Sequence, residues 1–255
     1  MTIFLEERRK DILTWILEQG RVSVSELSLH YGVSEVTIRA DLQALENQEL
    51  ILRTHGGAIP NTPEFSDIAL KKRIEKQVEE KSRIGEAAAL KISNGETIFL
   101  DSSTTTLAVA RQLKNVTDLT AITNSLAITQ QLMEFNGISI LLIGGLVLRD
   151  DASTYGWPAT DILRNMTIQK GFFGAHGIDL YHGLTDLSPA VAEVKKAVLS
   201  KCQEVIAVLD ATKWGKVGLA SFASLNEINT IITGQTAPAH LLKQLSDKGV
   251  QIFLV

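Results

Sequence analysis

The chain is short of the devices that staple or anchor a protein. Its single cysteine, Cys202, leaves no partner for an internal disulfide. That residue falls in a helical pattern beside an expected core strand, where a buried, inert thiol is expected rather than a reactive one. No apolar run approaches the roughly 20 residues that cross a bilayer, so no membrane partner is expected. Only Ile3-Phe4-Leu5 stand ahead of the charged Glu6-Glu7-Arg8-Arg9-Lys10, so no secretory signal is expected either. A cytoplasmic, reducing location fits these absences. The five histidines and one cysteine show no metal-ligand spacing. No low-complexity tract or internal repeat is evident.

Positive charge is scarce where it would matter most. The net charge is −4, and residues 1–60 hold six cations (Arg8, Arg9, Lys10, Arg21, Arg39, Arg53). Nine carboxylates oppose them there (Glu6, Glu7, Asp11, Glu18, Glu26, Glu35, Asp41, Glu46, Glu49), a balance of −3. Non-specific attraction to nucleic acid comes mainly from phosphate neutralisation, so one copy of such a segment would hold DNA weakly. What is present is ordinary for a soluble globular protein: 45% hydrophobic and 21% charged residues, in 255 residues that can fill two cores.

The stretch from Val22 to Ala58 carries a specific pattern. A first helix is expected from Glu6 to Gln19, with Ile12, Leu13, Ile16 and Leu17 at helical spacing and Gly20 as its stop. Val22-Ser23-Val24 reads as extended. Ser25 is the expected cap of a second helix, with Leu27 and Tyr31 inward and Gly32 supplying a left-handed turn. Ser34 caps a third helix, Glu35 to Gln48, whose Ile38, Leu42 and Leu45 share a core face. Leu50-Ile51-Leu52 and the residues after His55-Gly56-Gly57 form a small hairpin. This is the plan of a winged helix-turn-helix, which places its third helix in a DNA major groove. That helix's outward face carries Val36, Thr37, Arg39, Ala40, Gln43 and Ala44. Val36 and Thr37 suit thymine methyls and hydrogen bonds, and Gln43 suits adenine. Arg39, Arg53 and His55 are placed for phosphates. Ser34, at the cap, completes the candidate DNA-binding set. The alternatives are a winged-helix protein-interaction module, or polar residues that form merely a solvated face.

These residues resemble the DeoR family of bacterial transcriptional regulators. Val33-Ser34-Glu35-Val36-Thr37-Ile38-Arg39-Ala40-Asp41-Leu42 and Leu50-Ile51-Leu52-Arg53-Thr54-His55-Gly56-Gly57-Ala58 match that family's recognition helix and wing. Ala40 departs from it, standing where the family usually has a second arginine. The departure removes a phosphate contact and adds to the acidic balance.

Pro60-Asn61-Thr62-Pro63 reads as a boundary, because two prolines in four residues break helix and sheet. The division expected is 1–59 for the DNA-binding domain, 60–67 for a linker and 68–255 for a second domain. Phe65 to Ile92 reads as one helix, and its charge run from Lys71 to Arg83 is most simply a solvated face. Part of the run could form a dimer seam or transmit a change to the DNA domain. Beyond Asn94-Gly95, short apolar strands alternate with helical patterns at Thr105–Leu113, Leu126–Phe135, Pro189–Lys201 and Ala239–Lys248. The strands lie near Thr97–Leu100, Ala121–Thr123, Ile140–Ile143, Gly171–Phe173, Val205–Leu209, Thr230–Ile232 and Gln251–Val255. The fold class is therefore two-domain α/β, the larger domain a mostly parallel sheet covered on both faces.

Ligands in such sheets bind beyond the carboxyl ends of strands. The first strand runs into Asp101-Ser102-Ser103-Thr104-Thr105-Thr106 and a helix N-terminus, whose N–H and hydroxyl groups suit a phosphate. The plainer reading is a capped helix with spare hydroxyls. Thr123-Asn124-Ser125, Gly144-Gly145, Gly174-Ala175-His176-Gly177 and Asp210-Ala211-Thr212-Lys213 end other strands. A small phosphorylated ligand is the best single account of polar loops along one edge.

This half also resembles the DeoR family, in its effector-sensing domain, through Asp101–Thr105, Thr123-Asn124, Gly144-Gly145, Gly183-Leu184-Thr185, Glu193 with Lys196, and Asp210–Lys213. The resemblance implies a domain similar to sugar-phosphate isomerases that binds a phosphorylated sugar or polyol. It implies a pocket lined by Asp101, Ser103, Thr104, Thr105, Asn124, Gly145 and Lys213. Glu193 and Lys196 share a helix face and either reach the ligand or form an ion pair. His176 is taken as a rim or structural residue. The function expected is a DNA-binding regulator, a repressor of carbohydrate uptake or catabolism, without enzymatic activity. Its partners are an operator in double-stranded DNA, a sugar-phosphate effector and further copies of itself as dimer or tetramer; no cofactor is expected. The competing reading is an isomerase-like enzyme with an accessory DNA module, using Glu193, Asp101 or Asp210 as base and Lys196 or Lys213 as electrophile. A third is a dimerisation scaffold with an empty pocket.

Overall fold

The computed structural model describes residues 5–19, 22–48, 50–54, 56–60, 70 and 73–255. Gly20, His55, Asn61-Thr62-Pro63 and most of the Phe65–Lys72 stretch, about which the sequence raised expectations, lie outside those residues. The chain forms two compact units, Met1–Lys72 and Arg73–Val255.

In the first unit, α1 (Leu5–Gln19), β1 (Val22–Ser23), α2 (Val24–Tyr31) and α3 (Glu35–Asn47) precede a hairpin of β2 (Ile51–Thr54) and β3 (Gly57–Pro60). Ile12, Ile16, Leu27, Ile38, Leu42, Leu45 and Ile51 fill its core. The cap of α2 is Ser23 and not the expected Ser25. The Ser23 hydroxyl accepts from the Glu26 N–H at 3.1 Å, and the Glu26 carboxylate accepts from the Ser23 N–H at 2.8 Å. This reciprocal pair needs Glu three residues after the cap, which only Ser23 provides. Gly32, at φ +63, makes the turn into α3, where the Ser34 hydroxyl accepts from the Thr37 N–H.

The second unit opens with α4 (Val78–Ala89). The single helix expected from Phe65 to Ile92 is broken, because Gln77 takes a left-handed conformation at φ +54. There follow β4 (Thr97–Leu100), α5 (Thr104–Arg111), β5 (Leu119–Thr123), α6 (Leu126–Leu132) and β6 (Ile138–Leu142). A hairpin of β7 (Leu146–Leu148) and β8 (Ser153–Tyr155) leads to α7 (Trp157–Asp161) and β9 (Ile168–Phe173). The remainder is β10 (Gly177–Asp179), β11 (Gly183–Asp186), α8 (Pro189–Leu199), β12 (Cys202–Leu209), β13 (Ala220–Ala223), β14 (Thr230–Thr233), α9 (Ala239–Ser246) and β15 (Gln251–Leu254).

Seven strands pair in the order β15-β14-β12-β9-β4-β5-β6, and every pairing is parallel. Alternation along each strand feeds two cores, as a period of two requires. Phe99, Phe173, Val205 and Ala207 face one, with Val194 and Val198 of α8. Ile98, Leu100, Phe172 and Ile206 face the other, with Ile84 of α4 and Leu107 of α5. The β7–β8 hairpin and the antiparallel sheet β10-β11-β13 are additions that strand periodicity did not announce. Among the described residues no helix is long and apolar enough to cross a membrane.

Chain order reverses between β4 and β9. From β4 the sheet grows one way through β5 and β6, and the other way through β9, β12 and β14. Such a reversal opens a crevice beyond the carboxyl ends of the two central strands.

Candidate functional site

On the first unit, Val36, Arg39, Ala40 and Gln43 of α3 are exposed, Thr37 and Ala44 are half-buried, and His55 of the wing lies outside the described residues. Val36 is 73% exposed on the first turn. The Thr37 and Ser34 hydroxyls lie 2.9 Å apart. Arg39 donates to Glu35 Oε2 at 2.7 Å, an exposed pair one helical turn apart. Arg53 donates to Gln43 Oε1, while its backbone N–H donates to Glu46 Oε1 at 3.0 Å, so the wing is tied to the outer face of α3. Gln43 Nε2 also reaches Asn47 Oδ1 at 2.9 Å. Arg8 and Arg9 have a different task. They donate at 2.7 and 3.1 Å to the two oxygens of Asp41, which is 1% exposed, and so lock α1 to α3. Four of the cations counted in the sequence therefore face carboxylates or amides of their own unit. Ala40 is exposed between them.

On the second unit, Ser103–Thr105 follow β4, Asn124 follows β5, Gly145 follows β6 and Lys213 follows β12, all at the carboxyl edge. The β6 and β12 ends stand four strand spacings apart, about 19 Å. A molecule of sugar-phosphate size reaches both only where the loops lean in. Ser103 caps α5, accepting from the Thr106 N–H at 3.2 Å; the first N–H groups of a helix have no acceptor within it and point outward. Thr105 is buried in that first turn.

Asp101 does not line the open side of the edge. It is fully buried, and both oxygens are engaged within the fold. Oδ1 accepts from the Ser103 N–H at 3.0 Å and from Thr106 Oγ1 at 2.8 Å. Oδ2 accepts from the Gly174 N–H at 2.9 Å and from Lys195 Nζ at 2.8 Å. Asp101 thus ties the β4 and β9 loops together across the crevice. A Cβ at Gly174 would fall 2.3 Å from Ser103 Oγ, so the two loops meet as closely as they do because residue 174 has no side chain.

Lys195 is the residue that sequence reasoning missed. Its ammonium donates to Asp101, to Asp186 Oδ2 at 2.8 Å and to the Gly174 carbonyl at 2.9 Å. Burial pulls its pKa down, but the Asp101 and Asp186 carboxylates more than reverse that and hold it above the ordinary lysine value. Glu193 and Lys196, singled out from the sequence, are exposed on the opposite side of α8. The usable signal was Val191, Val194 and Val198: position 195 belongs to that apolar stripe. Position 81 of α4 sits likewise above Ile84 and Ala88. Glu80 and Lys81 are both buried, contrary to the solvated face expected for the run.

Asn124 Nδ2 donates to the Thr154 carbonyl at 3.1 Å. Asn124 Oδ1 and the nearby Ser153 Oγ are buried without a hydrogen-bond partner among the described residues. His176 pairs through its backbone N–H with the Thr185 carbonyl at 2.9 Å. Burial pushes the Cys202 thiol up to about 12, so it stays protonated and unreactive. Among the described residues no group of three or more His, Cys, Asp or Glu is placed to hold a metal ion.

Known proteins match both units. The family description "DeoR-like helix-turn-helix domain" matches residues 8–64, and "DeoR C terminal sensor domain" matches residues 76–235. The glycerol-3-phosphate regulon repressor of Escherichia coli is 33% identical over 97% of this chain and 98% of its own. The transcriptional repressor GlcR of Bacillus subtilis is 33% identical over 99% and 97%. The transcriptional regulator GolR of Listeria innocua is 32% identical over 98% of each. Among solved structures, ribose 5-phosphate isomerase A of Methanocaldococcus jannaschii aligns over 52% of this chain and 53% of its own, at 17% identity and a TM-score of 0.39. That likeness is too slight to weigh beside the sequence relatives. With both halves matched in order and relatives aligned end to end, the chain belongs to the DeoR family of DNA-binding transcriptional regulators.

Proposed function

We propose that the protein represses genes for uptake or breakdown of a carbohydrate and leaves its operator when a phosphorylated sugar or polyol occupies the carboxyl edge of the sheet. The observation that carries this is the pair of buried, unpartnered polar atoms, Asn124 Oδ1 and Ser153 Oγ. Each costs about 1–3 kcal/mol while unsatisfied. An acceptor and a hydroxyl beside the crevice suit the hydroxyls of a polyol. The α5 N-terminus and Lys213 suit its phosphate. Ser103, Thr104, Asn124, Gly145 and Lys213 are the proposed contacts, with Asp101 and Thr105 as the buried frame. The names of the relatives, a glycerol-3-phosphate regulon repressor among them, agree with this class of ligand.

On the DNA side, Ser34, Val36, Thr37, Arg39, Gln43, Arg53 and His55 are the proposed contacts, in a domain whose strand β3 runs through Pro60, paired with Ile51, one residue into the linker expected over 60–67. With most cations already engaged, one unit has little surplus charge for phosphates. Two or more copies on paired half-sites supply the missing affinity. The effector acts by binding the released form more tightly than the DNA-bound form.

The test is a thermal-shift panel of sugar phosphates beside the unphosphorylated sugars, followed by operator gel shifts with any compound that responds. A response to one phosphate and not its parent sugar, with release of DNA, is expected. Binding alone suffices for this role, so no ketose–aldose conversion is expected with the same compounds. A folded Arg39→Ala variant should lose operator binding. Silence across the whole panel, or an effector that leaves the operator complex intact, overturns the reading.

A further inference from the structure

The first two turns of α4 grip loops that belong to the carboxyl edge. Glu80 Oε1 accepts from the Ala211 N–H at 2.8 Å, immediately after β12. The end of β14 lies equally close: a Cβ on Gly234 would stand 1.9 Å from the same oxygen. Next to it, the buried Lys81 ammonium donates to the Arg73 carbonyl at 2.6 Å. That bond spans the left-handed Gln77, where the chain turns from the 73–76 stretch into α4. Arg73 is also held from the other side, its guanidinium lying 2.7 Å from Asp151 Oδ1 in the turn between β7 and β8. That turn runs into Ser153, whose hydroxyl is unpartnered.

Arg73 opens the second unit and is joined through the chain to the DNA-reading unit. Its carbonyl is fastened by a lysine at the β12 end of the sheet, and its guanidinium by the hairpin after β6. Lys81 itself sits in a field short of negative charge. Burial lowers its pKa to about 8; Asp210 attracts its ammonium, but Lys213, Arg73 and Lys76 oppose it. Lys195 differs, having two carboxylates in direct contact. A phosphate dianion arriving beside Lys213 supplies what Lys81 lacks. It is also a stronger acceptor than a peptide carbonyl.

We propose that Lys81 is a phosphate ligand of the effector site and that its shift from the Arg73 carbonyl to the phosphate releases the segment leading to the DNA-reading unit. This rests on the sheet edge being the phosphorylated-ligand site, and it adds the residue that reports occupancy. Capture of the ammonium removes the side-chain bond that spans Gln77 and leaves only the backbone bond from the Lys81 N–H to the Gln77 carbonyl, 2.9 Å, to hold a non-glycine residue at positive φ.

The test uses the full chain with inorganic phosphate as the probe, read by equilibrium binding and by hydrogen exchange of the 73–77 amides. In the wild type, saturating phosphate should speed exchange at 73–77 severalfold. Lys81→Met should weaken phosphate binding about tenfold or more, show fast exchange at 73–77 from the start, and no longer respond to phosphate. Lys81→Arg should restore binding. Phosphate affinity in Lys81→Met within twofold of the wild type, or wild-type exchange unmoved at saturation, overturns the proposal and leaves the sensor site standing. If neither phosphate nor any sugar phosphate binds the wild type, the sensor reading falls and this proposal with it. The wild-type exchange measurement needs no variant, so it decides the matter even if Lys81→Met fails to fold.

Discussion

Each unit holds a buried cluster of three charges, and the two are inverted. In the DNA-reading unit one carboxylate, Asp41, lies between two guanidiniums, Arg8 and Arg9. In the sensor one ammonium, Lys195, lies between two carboxylates, Asp101 and Asp186. The first joins two helices and sets the angle of the recognition helix. The second joins three loops and sets the shape of a crevice. They also differ in access to water. Both guanidiniums keep part of their side chains exposed, 11% and 21%, whereas of the sensor's two carboxylates Asp186 is 17% exposed and Asp101 is sealed. Loss of the central group should therefore be tolerated unequally.

The largest effect is expected from Lys195→Met. It leaves two carboxylates facing each other without a cation, and breaking one side of a buried charge cluster costs about 3–5 kcal/mol. Urea unfolding followed by hydrogen exchange of peptides from each unit should show that loss in the sensor alone. The wild type should show a milder version in acid. Burial pushes the Asp186 pKa up, but the charge and hydrogen bond of Lys195 more than offset that and hold it below the ordinary carboxylate value. Its contribution is therefore complete above that ordinary value and is lost as pH falls through the depressed one. Sensor stability that does not change between pH 5 and pH 2 would remove Asp186 from the account.

Asp41→Asn should cost less, about 1–3 kcal/mol, because the freed arginines can turn to water and the amide keeps one acceptor. The loss should appear in the DNA-reading unit and weaken operator binding beyond what stability explains, since the angle of α3 depends on the lock. Equal costs for Lys195→Met and Asp41→Asn would erase the contrast between the sealed and the vented cluster.

The same contrast explains what could be read from the sequence. The outer face of α3 was legible because Ile38, Leu42 and Leu45 fix its rotation, although the burial of Asp41 beside them was not. The parallel sheet was legible because its strands are short apolar runs separated by helices. The Ser23 cap was misplaced to Ser25 because two serines stand close together and only Glu26 at the right spacing separates them. Lys81 and Lys195 were not legible as buried groups. Their positions belong to apolar stripes while their chemistry belongs to water, and the conflict is settled by partners distant in the chain: Asp101 for Lys195, and for the neighbouring Glu80 the N–H of Ala211. A lysine inside an apolar stripe is itself the signal, provided position is weighed above residue type.

The smallest effect, and the sharpest probe of the exposed side of the comparison, is Glu35→Gln. Glu35 and Arg39 form an exposed pair one turn apart, with about half of each side chain in water. Such a pair contributes only about 0.3–0.5 kcal/mol, and a carboxylate on the first turn adds a few tenths through the helix dipole. Stability should therefore barely move. DNA affinity should move further, because the carboxylate both occupies Arg39 and repels the phosphate that Arg39 is proposed to meet. Operator binding by Glu35→Gln should tighten several-fold at low salt, with the gain shrinking as salt rises, because the contact concerned is a phosphate contact. Weaker binding would mean that Glu35 aims Arg39 at the backbone instead of withholding it. Unchanged binding would place Arg39 outside the interface, and the apolar Val36 with Thr37 would then carry the contact of that first turn with DNA.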